Sequence, residues 1–143
     1  MIPVFTASYE VLSDHIDQLG HVNNLVYLDW AVRSAVEHSA INGWPYSRYE
    51  KEGAGWVVRT HTITYFRPAF IGETVRVRTW IAELKRATCQ RRYRLERLDA
   101  EKPMLLAEAA TDWAFIDFGR QLPKRIPQEL IDSFAVLPEG PPE

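Results

Sequence analysis

The segment from position 17 to position 24 brings together residue types suited to acyl transfer. It contains the carboxylate of Asp17, a glycine at position 20, the imidazole of His21 and the amides of Asn23 and Asn24. An amphipathic pattern begins directly after it, and the start of a helix presents unpaired backbone N–H groups and the positive end of the helix dipole. A carboxylate that faces such a helix start, with room between them for a polarised carbonyl, is an arrangement for acyl transfer.

Each residue of this segment has a chemical and a structural interpretation. A carboxylate can act as a nucleophile that forms a mixed anhydride or as a general base for water, and the sequence leaves both roles open for Asp17. Asn23 and Asn24 are both suited to capping a helix, and Gly20 is suited to a sharp turn. His21 can orient an acyl group or a water molecule, or it can be a partly buried polar residue without chemistry.

Composition and charge exclude several classes of function. The chain has 143 residues, of which 46% are hydrophobic and 25% charged, and its net charge is −2. These values are typical of one soluble domain and give no reason to expect nonspecific binding to nucleic acid or to an anionic membrane. The single Cys89 excludes an intramolecular disulfide framework and a metal site built from several cysteines.

The length of the chain predicts a single domain over residues 1–143, and we expect a flexible tail over residues 135–143. The N-terminus lacks the pattern of a signal peptide, and no stretch approaches the ~18 apolar residues of a membrane span. The four histidines show none of the spacings typical of metal ligands, so we expect no metal. These features favour a cytoplasmic protein.

One long helix must position the candidate site. Hydrophobic residues recur at a helical period from Leu25, and Asn42 with Gly43 forms a suitable C-terminal stop, so we predict a helix over 24–41. We expect His15 and His38 at the surface and His61 on a strand. The predicted inner stripe of the helix consists of Leu25, Leu28, Val32, Ala35 and Ser39.

The other strong signals are those of β-strands. We predict a first strand over 3–12, a polar connection over 44–55, four consecutive strands over 56–66, 74–84, 89–98 and 104–118, and a helical turn over 127–134. A turn is expected over 99–103, and Val58 is expected to share a strand face with the threonines at positions 60, 62 and 64. One helix and one curved antiparallel sheet must bury each other, which predicts an α+β domain. Exposed edge strands at this size favour a homodimer.

Three stretches of the chain resemble the hot-dog-fold acyl-CoA thioesterases of the 4-hydroxybenzoyl-CoA thioesterase type. The first is Asp17 with Gly20 and Val22, followed by Tyr27 in the predicted helix. The second comprises residues 57–59, 64–69 and the pair 72–73, and the third is the segment 126–130. Their order and spacing over residues 5–135 imply a hot-dog fold, in which an antiparallel sheet wraps around one long central helix.

The resemblance also implies a function. It implies hydrolysis of an acyl- or aroyl-CoA to free acid and CoA, with Asp17 as the catalytic carboxylate and the backbone N–H of Asn24 as the oxyanion donor. It implies a homodimer or a dimer of dimers with the site at the dimer interface, where residues 56–61 come from the partner subunit. No cofactor is implied beyond the CoA of the substrate. Phosphates of CoA lead us to expect a basic rim.

The residues expected at this site fall into two groups. The catalytic candidates are Asp17, Asn24 and His21. The substrate-binding candidates are Gly20, Tyr27, Trp56, Val58, Arg59, Lys85, Arg86 and Arg91. For the basic residues a solvated strand face is an equally good interpretation, and for the aromatic residues core packing is the safer one.

The sequence leaves three alternative functions open. The segment from His21 to Tyr27 is also similar to plant acyl-carrier-protein thioesterases, although these have an asparagine where this chain has Leu19. A hot-dog dehydratase or hydratase would pair a histidine with a carboxylate in a different sequence setting. A non-catalytic acyl-CoA sensor would keep the pocket but would not need Asp17.

Overall fold

The computed structural model describes residues 1–98 and 102–142, and in it a curved antiparallel sheet surrounds one long helix. This arrangement confirms the predicted α+β architecture. The elements, in chain order, are β1 (Phe5–Glu10), a 3-10 turn (Ser13–His15), α1 (Asn24–Ile41), α2 (Tyr46–Glu52), β2 (Ala54–Tyr65), β3 (Thr74–Leu84), β4 (Thr88–Leu98), β5 (Pro103–Asp117), β6 (Leu122–Pro123) and α3 (Gln128–Ile131). The turn predicted over 99–103 falls largely outside the described residues.

The main strands follow the order β1-β3-β4-β5-β2 across the sheet, and β6 pairs with the end of β5. Every pair is antiparallel. The twelve-residue strand β2 is one edge of this order. The four long predicted strands are confirmed to within two residues at each end, because their alternation is regular and turns or prolines separate them.

The predicted polar connection over 44–55 is wrong, because it contains helix α2. The helix is only seven residues long and follows Pro45, which occupies its N-cap position. It ends at Gly53, whose φ of 71° is a left-handed conformation that glycine adopts without strain. A proline at the start and a glycine at the end are helix signals. They were not interpreted as such because a segment of seven residues is too short to show a clear helical period.

Helix α1 has the predicted bounds but buries a different face from the predicted one. Its buried residues are Tyr27, Trp30, Ala31, Ser34, Ala35 and His38. Of the predicted stripe only Ala35 is buried, and Leu25 is 73% exposed. The aromatic rings of Tyr27 and Trp30 pack against the concave side of the sheet. Because these rings bury more apolar surface than the aliphatic side chains of the predicted stripe, they determine which face of the helix is buried.

His38 is completely buried, so the expectation that it lies at the surface is wrong. The Nη1 atom of Arg91 lies 2.8 Å from His38 Nδ1, and the carbonyl of Ile2 lies 2.6 Å from His38 Nε2. A guanidinium only donates hydrogen bonds and a carbonyl only accepts them, so His38 is neutral with its hydrogen on Nε2. Burial, together with the positive charge of Arg91, lowers the pKa of His38 to about 4. The imidazole thus joins the N-terminal segment to α1 and β4.

A β-bulge changes the faces of strand β2. The pairing with β5 shifts between Val58 and Thr60, which leaves Arg59 as the extra residue. Val58 pairs with Trp113 and His61 pairs with Thr111, so Val58 and His61 share the concave face while the threonines that follow the bulge alternate onto the other face. The prediction that Val58 groups with these threonines is therefore wrong, because the bulge reverses the alternation.

The apolar interior consists of two clusters at opposite ends of α1. One cluster includes Val22, Tyr27 and Trp30 near the start of the helix. The other includes Trp44 and Phe115 beyond its end. After α3 the chain returns to the sheet, where the N–H of Leu137 donates a hydrogen bond of 2.8 Å to the carbonyl of Ile81; the flexibility of residues 135–143 stays a prediction.

We expect acid to destabilise the fold through His38. The pKa of this residue is about 4 in the folded chain and 6.5 when unperturbed, so between these values the unfolded chain binds more protons. The stabilisation is complete above the unperturbed pKa and is lost as the pH falls toward the folded one, by on the order of 3 kcal/mol in total. Urea-induced unfolding of the wild type and of His38→Gln, measured from about pH 7 down to about pH 4, should show a smaller loss for the variant; equal losses would contradict this role.

Candidate active site

A short hairpin holds Asp17 and His21 in front of helix α1. The N–H of Asp17 donates to the carbonyl of His21 over 3.0 Å, and the N–H of Gly20 donates to the carbonyl of Asp17 over 3.1 Å. Gly20 has a φ of 86°, a left-handed conformation that favours glycine. The sharp turn predicted at Gly20 is therefore present, and it brings the residues on either side of it together.

Two hydrogen bonds attach the base of this hairpin to the fold, and a third fixes the loop that accepts one of them. The N–H of Val22 donates to the carbonyl of Ala69 (2.9 Å), and the N–H of Asn23 donates to the carbonyl of His15 (2.9 Å). The hydroxyl of Tyr27 accepts from the N–H of Ala69 (3.0 Å). Tyr27, a substrate-binding candidate for which core packing was the safer interpretation, is 2% exposed and positions the loop that carries Ala69. The hairpin is thus fixed to α1 and to the β2–β3 connection.

The first turn of α1 keeps one backbone donor available. The side chain of Asn23 accepts from the N–H of Leu25, and its carbonyl accepts from the N–H of Val26, both over 2.9 Å. Asn23 is therefore the N-cap. The N–H of Asn24 has no acceptor in the described part of the chain, and the carbonyl of Asn24 accepts from the Tyr65 hydroxyl over 2.8 Å. This free N–H lies at the positive end of the helix dipole.

The carboxylate of Asp17 is partly oriented and partly free. Its Oδ1 accepts a hydrogen bond of 2.8 Å from the N–H of Leu19, whereas no hydrogen bond to Oδ2 is found among the described residues. His21 Nδ1 lies 4.0 Å from Asp17 Oδ1, and the two side chains are 33% and 28% exposed. Asp17 and His21 therefore face each other across the hairpin, and Asn24 begins the helix three residues after His21.

An apolar cavity of about 220 Å³ lies toward the other end of α1. Ala35 and Ser39 of α1 line it, and they lie about 16 to 22 Å along the helix axis from Asn24 at ~1.5 Å per residue. Trp56, one of the substrate-binding candidates, is also part of its wall. Asp17 is not among the lining residues, so the cavity and the hairpin of one chain are separate places.

Three residues of the predicted basic rim are exposed in the structure, and the fourth is buried. Lys85 and Arg86 are exposed at the β3–β4 turn, and Arg59 is exposed at the bulge of β2. Arg91 is only 5% exposed and lines the apolar cavity, so its placement in a surface rim is wrong. Strand alternation was the signal for this, because Arg91 is in phase with the buried Cys89 and Tyr93.

Among residues 1–98 and 102–142, no group of three or more His, Cys, Asp and Glu side chains could hold a metal ion. Within the same residues, none of the helices has the length and apolar character needed to cross a membrane.

Known proteins of similar sequence and structure indicate one family. A family model described as the thioesterase-like superfamily matches residues 11–134. The crystal structure of the hypothetical protein TT1821 from Thermus thermophilus is 31% identical, with a TM-score of 0.81, and the match covers 90% of this chain and 95% of that one. No functionally curated protein matches the chain.

Two similar structures have named activities. A 1,4-dihydroxy-2-naphthoyl-CoA thioesterase from Synechocystis is 20% identical with a TM-score of 0.82, over 91% of this chain and 94% of that one. A mutant 4-hydroxybenzoyl-CoA thioesterase in complex with 4-hydroxybenzoyl-CoA is 17% identical with a TM-score of 0.85, over 92% and 99%. These likenesses confirm the predicted hot-dog fold.

Proposed function

The chain belongs to the thioesterase-like superfamily, and we propose that within this class of thioester hydrolases it hydrolyses an acyl-CoA to a free acid and CoA. The observation that carries the proposal is the carboxylate of Asp17 in a hairpin that leads directly into a helix start whose Asn24 N–H is free. The complex of the similar 4-hydroxybenzoyl-CoA thioesterase with its CoA thioester supports CoA as the carrier of the acyl group.

In the proposed reaction Asp17 supplies the attacking oxygen. As a base, it takes a proton from water, and the water oxygen attacks the thioester carbonyl carbon. As a nucleophile, its own oxygen attacks that carbon and forms a mixed anhydride, which water then hydrolyses. Along both routes the C–S bond breaks, the sulfur leaves as the thiol of CoA, and the acyl group leaves as a carboxylic acid. Oδ2 is suited to either role, since Leu19 holds only Oδ1.

Charge develops on the carbonyl oxygen during the attack. We assign its stabilisation to the N–H of Asn24, which is a donor fixed by the cap at Asn23 and strengthened by the helix dipole. One such fixed donor contributes about 10²–10³-fold to the rate of comparable acyl transfers. His21, which faces Asp17 over 4.0 Å, is proposed to orient the water or the thioester.

We infer that a second subunit completes the site through strand β2. Tyr65 at the end of β2 contacts Asn24 at the helix start, whereas Gly55 and Trp56 at the beginning of β2 line the cavity. Antiparallel pairing of two β2 edges across a two-fold axis would bring the helix start of one subunit next to the cavity of the other.

This pairing also gives the remaining candidates a place. Trp56, Val58 and Arg59 would face the substrate from the partner side of the interface, which is where the family resemblance expects them. Lys85 and Arg86 directly follow Leu84, a residue of the cavity wall, and are proposed to contact the phosphates of CoA. The same edge pairing serves a homodimer and a dimer of dimers.

Replacing Asp17 by asparagine tests the catalytic carboxylate. Thiol release would be measured over a panel of aliphatic and aromatic acyl-CoAs, and Asp17→Asn should lower kcat by about 10²–10⁴-fold because the amide can neither accept the proton nor form the anhydride. Asp14→Asn is the matched control, since Asp14 is exposed in the preceding turn, and it should keep wild-type activity. Full activity of Asp17→Asn would refute the site, and a folded wild type that releases CoA from no panel member would refute the function.

Replacing Asn24 by proline tests the oxyanion donor without breaking the helix. Proline is tolerated at the first helical position, and Asn23 has the extended backbone (φ −58°, ψ 134°) that a following proline requires. Asn24→Pro removes only the N–H, so kcat should fall by about 10²–10³-fold while thermal unfolding changes little. Asn24→Ala keeps the N–H and should stay near the wild type; equal activities of the two variants would rule out this donor.

A further inference from the structure

Arg91 is a buried cation without a carboxylate partner in the described part of the chain. It is 5% exposed, and Nη1 donates to His38 Nδ1 over 2.8 Å and to Thr79 Oγ1 over 3.0 Å. Both acceptors are neutral, because burial keeps His38 deprotonated. Other arginines, by contrast, form ion pairs with Asp or Glu in the structure, namely Arg33, Arg48, Arg76, Arg78 and Arg97. An isolated buried charge is costly unless an anion accompanies it.

The guanidinium retains unused donors at the wall of the cavity. Nε and Nη2 of Arg91 have no hydrogen-bond partner among residues 1–98 and 102–142, and neither atom is fully enclosed by the protein. A guanidinium offers its donors as a planar fork that matches a carboxylate. The half of this fork that His38 and Thr79 leave free is therefore available to a ligand in the cavity.

The rest of the cavity is suited to an apolar body. Its wall consists mostly of aliphatic and aromatic side chains, among them Ile81, Leu84, Trp113 and Phe134. At about 220 Å³ the cavity has room for a small organic molecule. Pockets with apolar walls and a few convergent polar groups are typical ligand sites.

We propose that this cavity binds a free monocarboxylic acid, with its chain or ring against the apolar wall and its carboxylate on the free donors of Arg91. His38 and Thr79 act as positioning residues, since each holds Nη1 and thereby fixes the plane of the guanidinium. The proposed function places this cavity beside the helix start of the partner subunit, but the acid site itself needs no group of the Asp17 hairpin. Its test is therefore a binding measurement, and failure of that measurement is distinguishable from failure to hydrolyse acyl-CoA.

Tryptophan fluorescence offers a direct readout, because Trp44, Trp56 and Trp113 line the cavity. Titration of the full-length wild type with octanoate, octan-1-ol and methyl octanoate compares equal chains with and without the anion. Octanoate should bind about tenfold to a hundredfold more tightly than the alcohol and the ester, as expected for charge-assisted hydrogen bonds in a buried place. Equal affinities of the three ligands would overturn the proposal.

Variants and a crystal structure locate the binding. Arg91→Gln should lose the preference for octanoate, while Arg92→Gln, at the exposed neighbouring position, and Asp17→Asn should keep it. An unchanged preference in a folded Arg91→Gln would overturn the assignment. If that variant does not fold, a structure of the wild type with octanoate decides: carboxylate oxygens about 3 Å from the Arg91 guanidinium support the site, and octanoate bound elsewhere refutes it.

Discussion

Burial of the aromatic face of α1 in the concave side of the sheet is the constraint on which the other features depend. Trp30 lies between Tyr9 of β1, stacked at 5.7 Å, and Tyr27 of the same helix, in an edge contact at 5.8 Å. Ala31 and Ala35 are small enough for close approach to the sheet. A helix fixed in this way has its start and its end at defined places, and each end carries a different polar arrangement.

At the start of α1, the polar groups are partly exposed and are held by hydrogen bonds to the backbone. The hairpin presents Asp17, the cap at Asn23 leaves the Asn24 N–H free, and buried Tyr27 holds the neighbouring loop. Toward the other end, the polar groups are buried and depend on one another. Arg91 donates to a neutral His38 and to Thr79 beside an apolar cavity. One helix thus positions both the proposed catalytic groups and the proposed acid-binding groups.

Features set by local residues were predictable from the sequence. The bounds of α1 follow from Asn23 before it and Asn42 with Gly43 after it, and the turn at Gly20 follows from the same local chemistry. Features set by pairing or packing were not. The bulge at Arg59 depends on the register with β5, and the buried face of α1 depends on the space that the sheet leaves for Tyr27 and Trp30.

The alternation of strand β4 indicates that Arg91 is buried, but the sequence does not predict the cavity that Arg91 lines. Its position in a run of basic residues suggested a rim, but its alternation with Cys89 and Tyr93 places it inside. The cavity itself is formed by side chains from helices and strands far apart in the sequence, and only the folded chain brings them together. The roles of Asp17, His21 and Asn24 remain a proposal that rests on their geometry and on the family.

A crystal structure of Asp17→Asn with an uncleaved acyl-CoA would locate the thioester relative to the proposed catalytic groups. We expect the thioester carbonyl oxygen about 3 Å from the Asn24 nitrogen, with the acyl group directed across the β2 edge into the partner subunit. A thioester bound away from the start of α1, with the Asn24 N–H left to solvent, would contradict this expectation.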